Sequence, residues 1–125
     1  MDSGALGKVY QDGEIIIQQG EVGNCMYVIQ EGKVKVLMEE DGQEVQLAIR
    51  SEGDFFGEMA IFERDVRSAT IRALGEVRVL TIDKKNFLSR ISQDPSIAFR
   101  IVETMSSRIR ELSIENAHLK RSASE

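Results

Sequence analysis

The sequence predicts a mainly β protein, an antiparallel sandwich or small barrel, followed by helices. Glycines recur through the first two-thirds of the chain, mostly beside an acidic residue or glutamine, with short β-branched runs between them. Several runs alternate apolar and polar residues, as strands with one buried face do. After Gly75 the chain contains no further glycine, and from Asp83 the apolar residues follow helical spacing.

The strand-like runs are "EIIIQ", "CMYVI", "KVKVLM", "VQLAI", "ATIRA" and "VRVLTI". In "KVKV", Val34 and Val36 alternate with lysines, which indicates one buried and one solvated face. Glycine adopts positive φ at little cost, so the intervening glycines are expected at tight turns. They are Gly13, Gly20, Gly23, Gly32, Gly42, Gly53, Gly57 and Gly75.

Two helices are expected after the strands. Asp83 is a suitable N-cap for the first, which would bury Phe87 and its helical neighbours. Pro95 suits the first turn of the second, and nothing breaks a helix before Lys120. We therefore expect one domain over residues 1–120, with a C-terminal helix at about 95–120 and a polar tail at 121–125.

Composition excludes several function classes. The 125 residues include 16 basic and 21 acidic side chains, a net charge of −5 that does not favour direct nucleic-acid binding. With Cys25 as the one cysteine and His118 as the one histidine, no metal site, metal cofactor or catalytic nucleophile–base pair is expected. The sequence shows no membrane-spanning run and no signal peptide, so we expect a soluble cytoplasmic protein with no membrane partner.

The stretch "FFGEMAIFERDVRSATIRA", residues 55–73, carries the chemistry. A short helical turn in "GEMAIF" would present backbone amides, such as those of Met59 and Ala60, to an anion. Arg67 can bind a phosphate bidentately, and Ser68 adds a hydroxyl. Glu58 would repel a bare phosphate, but it can accept a hydrogen bond from an attached sugar hydroxyl. A phosphate joined to a ribose inside a small barrel describes a cyclic nucleotide.

"GEMAIFERDVRSA" closely resembles the phosphate-binding cassette of cyclic-nucleotide-binding domains, the family of the catabolite activator protein, protein kinase A regulatory subunits and nucleotide-gated channels. The resemblance extends from about Val9 to Leu119 and includes "DGEIIIQQGEVGNCMYVIQEGKVKV". It implies an antiparallel jelly-roll-like β-barrel (a double-stranded β-helix) with flanking helices and a long C-terminal helix. It also implies a non-catalytic regulatory role. Nothing here resembles the helix-turn-helix domain of some members, so direct DNA binding has no sequence support.

The resemblance assigns roles within the cassette. Glu58 would bind the ribose 2′-hydroxyl beside the Gly57 backbone, and Arg67 would hold the cyclic phosphate. Ser68, where cGMP-preferring members often have threonine, favours cAMP, with cGMP as the other candidate. The remaining predicted ligand contacts are Met59, Ala60 and Ala69 in the cassette, and Val36, Leu47 and Ala48 as an apolar wall beside the purine.

The C-terminal helix carries a coiled-coil pattern, since residues at 4-3 spacing include Ala98, Val102, Met105, Ile109, Leu112, Asn116 and Leu119. We therefore expect a parallel homodimer, while Phe99 and Ile101 offer a second apolar face. Alignment with the catabolite activator protein places Leu112 and Ser113 where its helix reaches the purine. The nucleotide is thus expected to signal through this helix to an effector that the sequence does not identify.

Two alternatives stay open at this point. Arg67 and Glu58 could form an internal salt bridge across a loop, as many surface pairs do. Alternatively, the chain could be a degenerate barrel that acts as a protein-interaction module without ligand. A cyclic nucleotide phosphodiesterase would need a metal cluster or general base near the phosphate, and the sequence offers neither.

Overall fold

A computed structural model describes the backbone of residues 7–62 and 65–123, and the side chains of residues 7–61 and 66–111. The chain divides into two compact units, Met1–Phe87 and Leu88–Glu125. In the described backbone the elements are β1 (Lys8–Tyr10), β2 (Ile15–Ile17), β3 (Val22–Gly23), β4 (Cys25–Glu40), β5 (Gln43–Ser51), β6 (Phe55–Phe56), α1 (Met59–Phe62), β7 (Asp65–Val66), β8 (Thr70–Asp83), α2 (Lys84–Gln93) and α3 (Ser96–Ala123).

Every strand pairing in the described backbone is antiparallel. The main sheet has the order β1-β8-β4-β5, with β2 also on β8 and β6 also on β4. Strands β3 and β7 form a separate two-stranded ribbon. Hydrogen bonds between described residues do not close the path from β1 to β5, so the barrel is an open one.

Strands β4 and β8 form the spine of the main sheet. Their register runs from Cys25 opposite Asp83 to Leu37 opposite Thr70. It shifts twice, once on each side of Glu31. The sequence predicted a turn at Gly32 between two strands. Gly32 does have a positive φ of 90°, but it lies within an irregular bend of one continuous strand. A bulge bends a strand while pairing continues beyond it, which curves this sheet.

The core lies between the faces of this curved sheet. Val34 is fully buried and Lys33 is exposed, as the alternation predicted. The next pair does not follow it, because Lys35 and Val36 are both half-buried. Tyr27 stacks on Phe56 with ring centroids 5.1 Å apart. The main cluster of buried residues is Ile17, Ile29, Val34, Phe56, Ile71, Ala73, Val77 and Val79.

Seven of the eight glycines predicted at turns have positive φ, as expected. The exception is Gly23. It lies in β3, opposite Asp65, and its φ is not in the left-handed region. Glycine at position 23 therefore needs a reason other than backbone conformation.

The two long helices begin where the sequence predicted. The carboxylate of Asp83 accepts a hydrogen bond from the Asn86 amide at 2.8 Å and caps α2. At the start of α3, the carboxylate of Asp94 accepts bonds from the amide (3.2 Å) and hydroxyl (2.6 Å) of Ser96. Helix α3 continues to Ala123, three residues into the segment predicted as a polar tail. No helix in the described residues is both long and apolar enough to cross a membrane.

Candidate functional site

The backbone around Arg67 is tied to the segment that leads into β3. The Arg67 amide donates to the Glu21 carbonyl, and the Arg67 carbonyl accepts from the Gly20 amide, both at 2.8 Å. Next to these bonds, in the β3–β7 ribbon, Val22 lies opposite Val66. These bonds fix where the Arg67 side chain starts.

The Arg67 side chain turns inward to two backbone carbonyls. Its Nη2 donates to the Cys25 carbonyl at 2.7 Å, and its Nη1 donates to the Gly57 carbonyl at 3.0 Å. The two acceptors belong to segments 32 positions apart (57 − 25), and the arginine bridges them while half-buried. A guanidinium has five N–H donors, so three remain for a ligand.

The residues before and within α1 form the other wall of the site. Gly57 has a φ of 74°, and its carbonyl accepts a hydrogen bond from Arg67. Glu58 follows it and is half-buried, and the Met59 side chain is 46% exposed. The Ala60 amide, predicted to face a phosphate, donates to the Gly57 carbonyl at 3.3 Å within the helical turn. The structure thus brings Arg67 into contact with Gly57, the residue before Glu58.

The segment after Arg67 is held by a residue that sequence analysis missed. Ser68 is exposed and Ala69 half-buried, but Thr70 is buried. Its hydroxyl accepts hydrogen bonds from the Gln19 amide at 3.0 Å and from the Gln18 side chain at 3.4 Å. Thr70 therefore anchors the "RSA" segment to the residues between β2 and β3.

Tyr27 borders the site and keeps its proton. Burial raises the pKa of Tyr27 well above its ordinary value of 10.0, and the interaction with Cys25, whose sulfur lies 3.6 Å from the Tyr27 hydroxyl, raises it further. The nearby Arg67 charge opposes this shift but does not reverse it. Tyr27 therefore stays a neutral phenol across the physiological range.

The predicted apolar wall is partly assembled. Val36 and Ala48 are half-buried and lie directly opposite each other on β4 and β5, which places their side chains on one face. Leu47 falls at the register shift between Val36 and Leu37, has no partner in that register, and is 53% exposed.

The structure describes the side chains of α3 up to residue 111, which is part of the predicted dimer seam. Val102 and Ile109 are 65% and 62% exposed, and Met105 is half-buried. Of the second apolar face, Ile101 is buried but Phe99 is 69% exposed. The side chains of Leu112, Ser113, Asn116 and Leu119 lie outside the described residues.

Comparison with known proteins identifies the family. The family model of the cyclic nucleotide-binding domain matches residues 7–94. The chain therefore belongs to the cyclic nucleotide-binding domain family, as the cassette predicted. No group of three or more histidine, cysteine, aspartate or glutamate side chains that could hold a metal ion occurs among the described residues.

Relatives include a protein kinase regulatory subunit and a protein kinase. The chain is 40% identical over 79 residues to the cAMP-dependent protein kinase regulatory subunit of Schizosaccharomyces pombe, over 63% of this chain and 18% of that protein. It is 43% identical over 81 residues to the cGMP-dependent protein kinase egl-4 of Caenorhabditis elegans, over 62% of this chain and 10% of that protein.

The fold comparison confirms the predicted architecture. The crystal structure of the Thermus thermophilus catabolite activator protein matches with a TM-score of 0.81 at 30% identity, over 90% of this chain and 54% of that one. The chain thus has the antiparallel β-barrel fold of this family, with flanking helices. It spans about half, or less, of the length of the three proteins named here.

Proposed function

We propose that this chain binds a cyclic mononucleotide, cAMP in preference to cGMP, without hydrolysing it. In this proposal it is a cytoplasmic regulatory domain with no direct contact to nucleic acid or membrane. The observation that carries the proposal is the position of the Arg67 guanidinium, which the carbonyls of Cys25 and Gly57 hold at the segment that leads into Glu58.

The charges at the site suit a cyclic phosphate attached to a ribose. Arg67 supplies a positive charge with three donors left for phosphate oxygens. Glu58, next to the Gly57 carbonyl that holds Arg67, supplies an acceptor for the ribose 2′-hydroxyl. Ser68 is exposed at the same loop and adds a hydroxyl to the phosphate contacts. The remaining proposed contacts are Met59, Ala60 and Ala69 in the cassette, and Val36, Leu47 and Ala48 beside the base.

The choice of cAMP rests on Ser68, because the family often has threonine there when it prefers cGMP. Both nucleotides occur in the names of the relatives, a cAMP-dependent protein kinase regulatory subunit and a cGMP-dependent protein kinase. The absence of hydrolysis in this proposal rests on membership of the cyclic nucleotide-binding domain family. Tyr27 holds its proton because of its raised pKa, which makes it a poor general base near neutral pH.

The proposed output is a parallel homodimer through α3. Val102 and Ile109 lie seven residues apart, on one face of the helix, and both expose most of their side chains. The rest of the proposed seam is Met105, Leu112, Asn116 and Leu119, with Leu112 and Ser113 reaching the base. If the nucleotide binds one arrangement of the paired helices more tightly than the other, it would shift the equilibrium between them by about 1–3 kcal/mol.

A second candidate function also has an observation behind it. Because Arg67 already bonds to the Cys25 and Gly57 carbonyls, it could serve only to hold the loop. The domain would then be a ligand-free interaction module.

Isothermal titration calorimetry with cAMP, cGMP and cyclic dinucleotides distinguishes the two functions. The proposal expects binding of cAMP, and chromatography of the recovered nucleotide should show it unchanged.

Matched arginine variants locate the binding. Arg67→Ala should weaken cAMP binding at least a hundredfold, about 2.8 kcal/mol at 1.4 kcal/mol per factor of ten. Arg72→Ala is the control, because Arg72 is also half-buried and also donates to a backbone carbonyl, that of Gly13 at 3.0 Å, but is not among the proposed ligand contacts. Equal cAMP affinity in both variants would contradict the assignment of Arg67.

A further inference from the structure

Gly23 occupies a position that its backbone would allow any residue to fill. It lies in β3, paired with Asp65, and its φ is outside the left-handed region. The other seven predicted turn glycines all have positive φ. A side chain at position 23 is therefore limited by space alone.

That space is filled by the Arg67 guanidinium. A Cβ added at Gly23 would overlap Nε, Cζ and Nη2 of Arg67. A Cβ at Gly57 would lie 2.7 Å from Nη1 of the same guanidinium and 3.1 Å from Cδ1 of Ile17. Arg67 thus lies between the backbones of two glycines, within reach of the Cys25 carbonyl on one side and the Gly57 carbonyl on the other.

The backbone cannot easily move to relieve such an overlap. The amide and carbonyl of Arg67 are hydrogen-bonded to Glu21 and Gly20, both at 2.8 Å, and these residues lead directly into β3. The ribbon pairs Val22 with Val66, next to both Gly23 and Arg67. Since the two main chains are fixed to each other at three points, the arginine side chain is the part that would have to yield.

We propose that Gly23 is a positioning residue for Arg67: its missing side chain lets the guanidinium lie against β3 and bond to the Cys25 carbonyl before any nucleotide arrives. This inference rests on the proposed function, in which Arg67 binds the phosphate of the nucleotide. An arginine already held in one conformation loses less side-chain entropy on binding than one that is free to move. A methyl group at position 23 would displace the guanidinium and break its bonds to Cys25 and Gly57.

The test compares the wild type with Gly23→Ala, Arg67→Ala, the double variant, and Val22→Ala as a control in the same ribbon. Val22 is 54% exposed and is not one of the proposed ligand contacts, so its variant should bind cAMP like the wild type. Gly23→Ala should weaken cAMP binding about tenfold or more, since a displaced guanidinium would lose at least one charged hydrogen bond to the phosphate, which is worth about that much. Affinity of Gly23→Ala equal to that of Val22→Ala overturns the proposal.

Urea unfolding without nucleotide tests the same contact independently of ligand binding. Gly23→Ala should lower the urea midpoint when Arg67 is present, and should leave it unchanged when added to Arg67→Ala. An equal loss in both backgrounds would show a backbone effect and overturn the proposal. If the wild type binds no cyclic nucleotide, the proposed function fails, and the unfolding cycle still decides whether Gly23 positions Arg67.

Discussion

Replacing Thr70 by valine should destabilise the domain although it leaves no cavity. Thr70 is 6% exposed, and its hydroxyl accepts the Gln19 amide at 3.0 Å. Valine has nearly the same shape but a methyl group in place of that acceptor. The N–H of Gln19 would lose its partner in a half-buried setting. An unsatisfied buried donor costs about 1–3 kcal/mol, and partial access to water places the expected loss at about 1–2 kcal/mol.

Urea unfolding followed by circular dichroism measures this loss. With a slope of about 2 kcal/mol per molar urea, the midpoint should fall by about 0.5–1 M. Thr81→Val is the matched control, because Thr81 is exposed on the same strand, β8, and the same substitution there should change stability by no more than about 0.5 kcal/mol. Indistinguishable midpoints for the two variants would refute the anchoring role given to Thr70.

Three further predictions concern the ribose contact, a helix cap and the dimer. Glu58→Ala should weaken cAMP binding by about 1–3 kcal/mol and remove most of the calorimetric preference over 2′-deoxy-cAMP, and an intact preference would exclude Glu58 from that contact. The hydroxyl and amide of Ser96 lower the pKa of Asp94, so its cap on α3 should be complete above the ordinary value of 3.8 and be lost as pH falls through the lower folded value. Circular dichroism should show this acid step absent in Asp94→Asn, and its persistence there would assign it to another group. Ile109→Glu should weaken the dimer in light scattering, unlike the exposed control Ser106→Glu, and a wild type that is monomeric at high micromolar concentration would contradict the seam.

The sequence predicted the features of the fold that depend on neighbouring residues. Alternation around Val34 predicted its burial, and Asp83 was recognised as a cap because capping is local to one turn. The bend at Gly32 was misread as the end of a strand. A positive φ occurs in both turns and bulges, and only the pairing of β4 with distant β8 tells them apart.

The sequence allowed prediction of those parts of the candidate site in which a charged side chain is expected to contact the ligand. Arg67 and Glu58 have charges that suggest a ligand, and the structure places the backbone beside Glu58 in contact with Arg67. The Cys25 carbonyl and Gly23 were missed, since a carbonyl is common to every residue and glycine is normally read as a turn. Thr70 was missed because its partner Gln19 is 51 positions away.

The two roles considered for Arg67 are compatible with each other. A purely structural arginine is satisfied by its carbonyls, whereas a purely ligand-binding arginine is free until the ligand arrives. Arg67 has two bonds to the protein, at 2.7 Å and 3.0 Å, and three of its five donors left. The same bonds that stabilise the loop therefore fix the direction of the remaining donors. Because the carbonyl of Gly57 belongs to the residue before Glu58, movement of the arginine also acts on the chain that carries the proposed ribose contact. Binding at the phosphate and binding at the ribose should therefore be coupled: the losses caused by Arg67→Ala and Glu58→Ala should not add in the double variant, and strict additivity in calorimetry would show that the two contacts act independently.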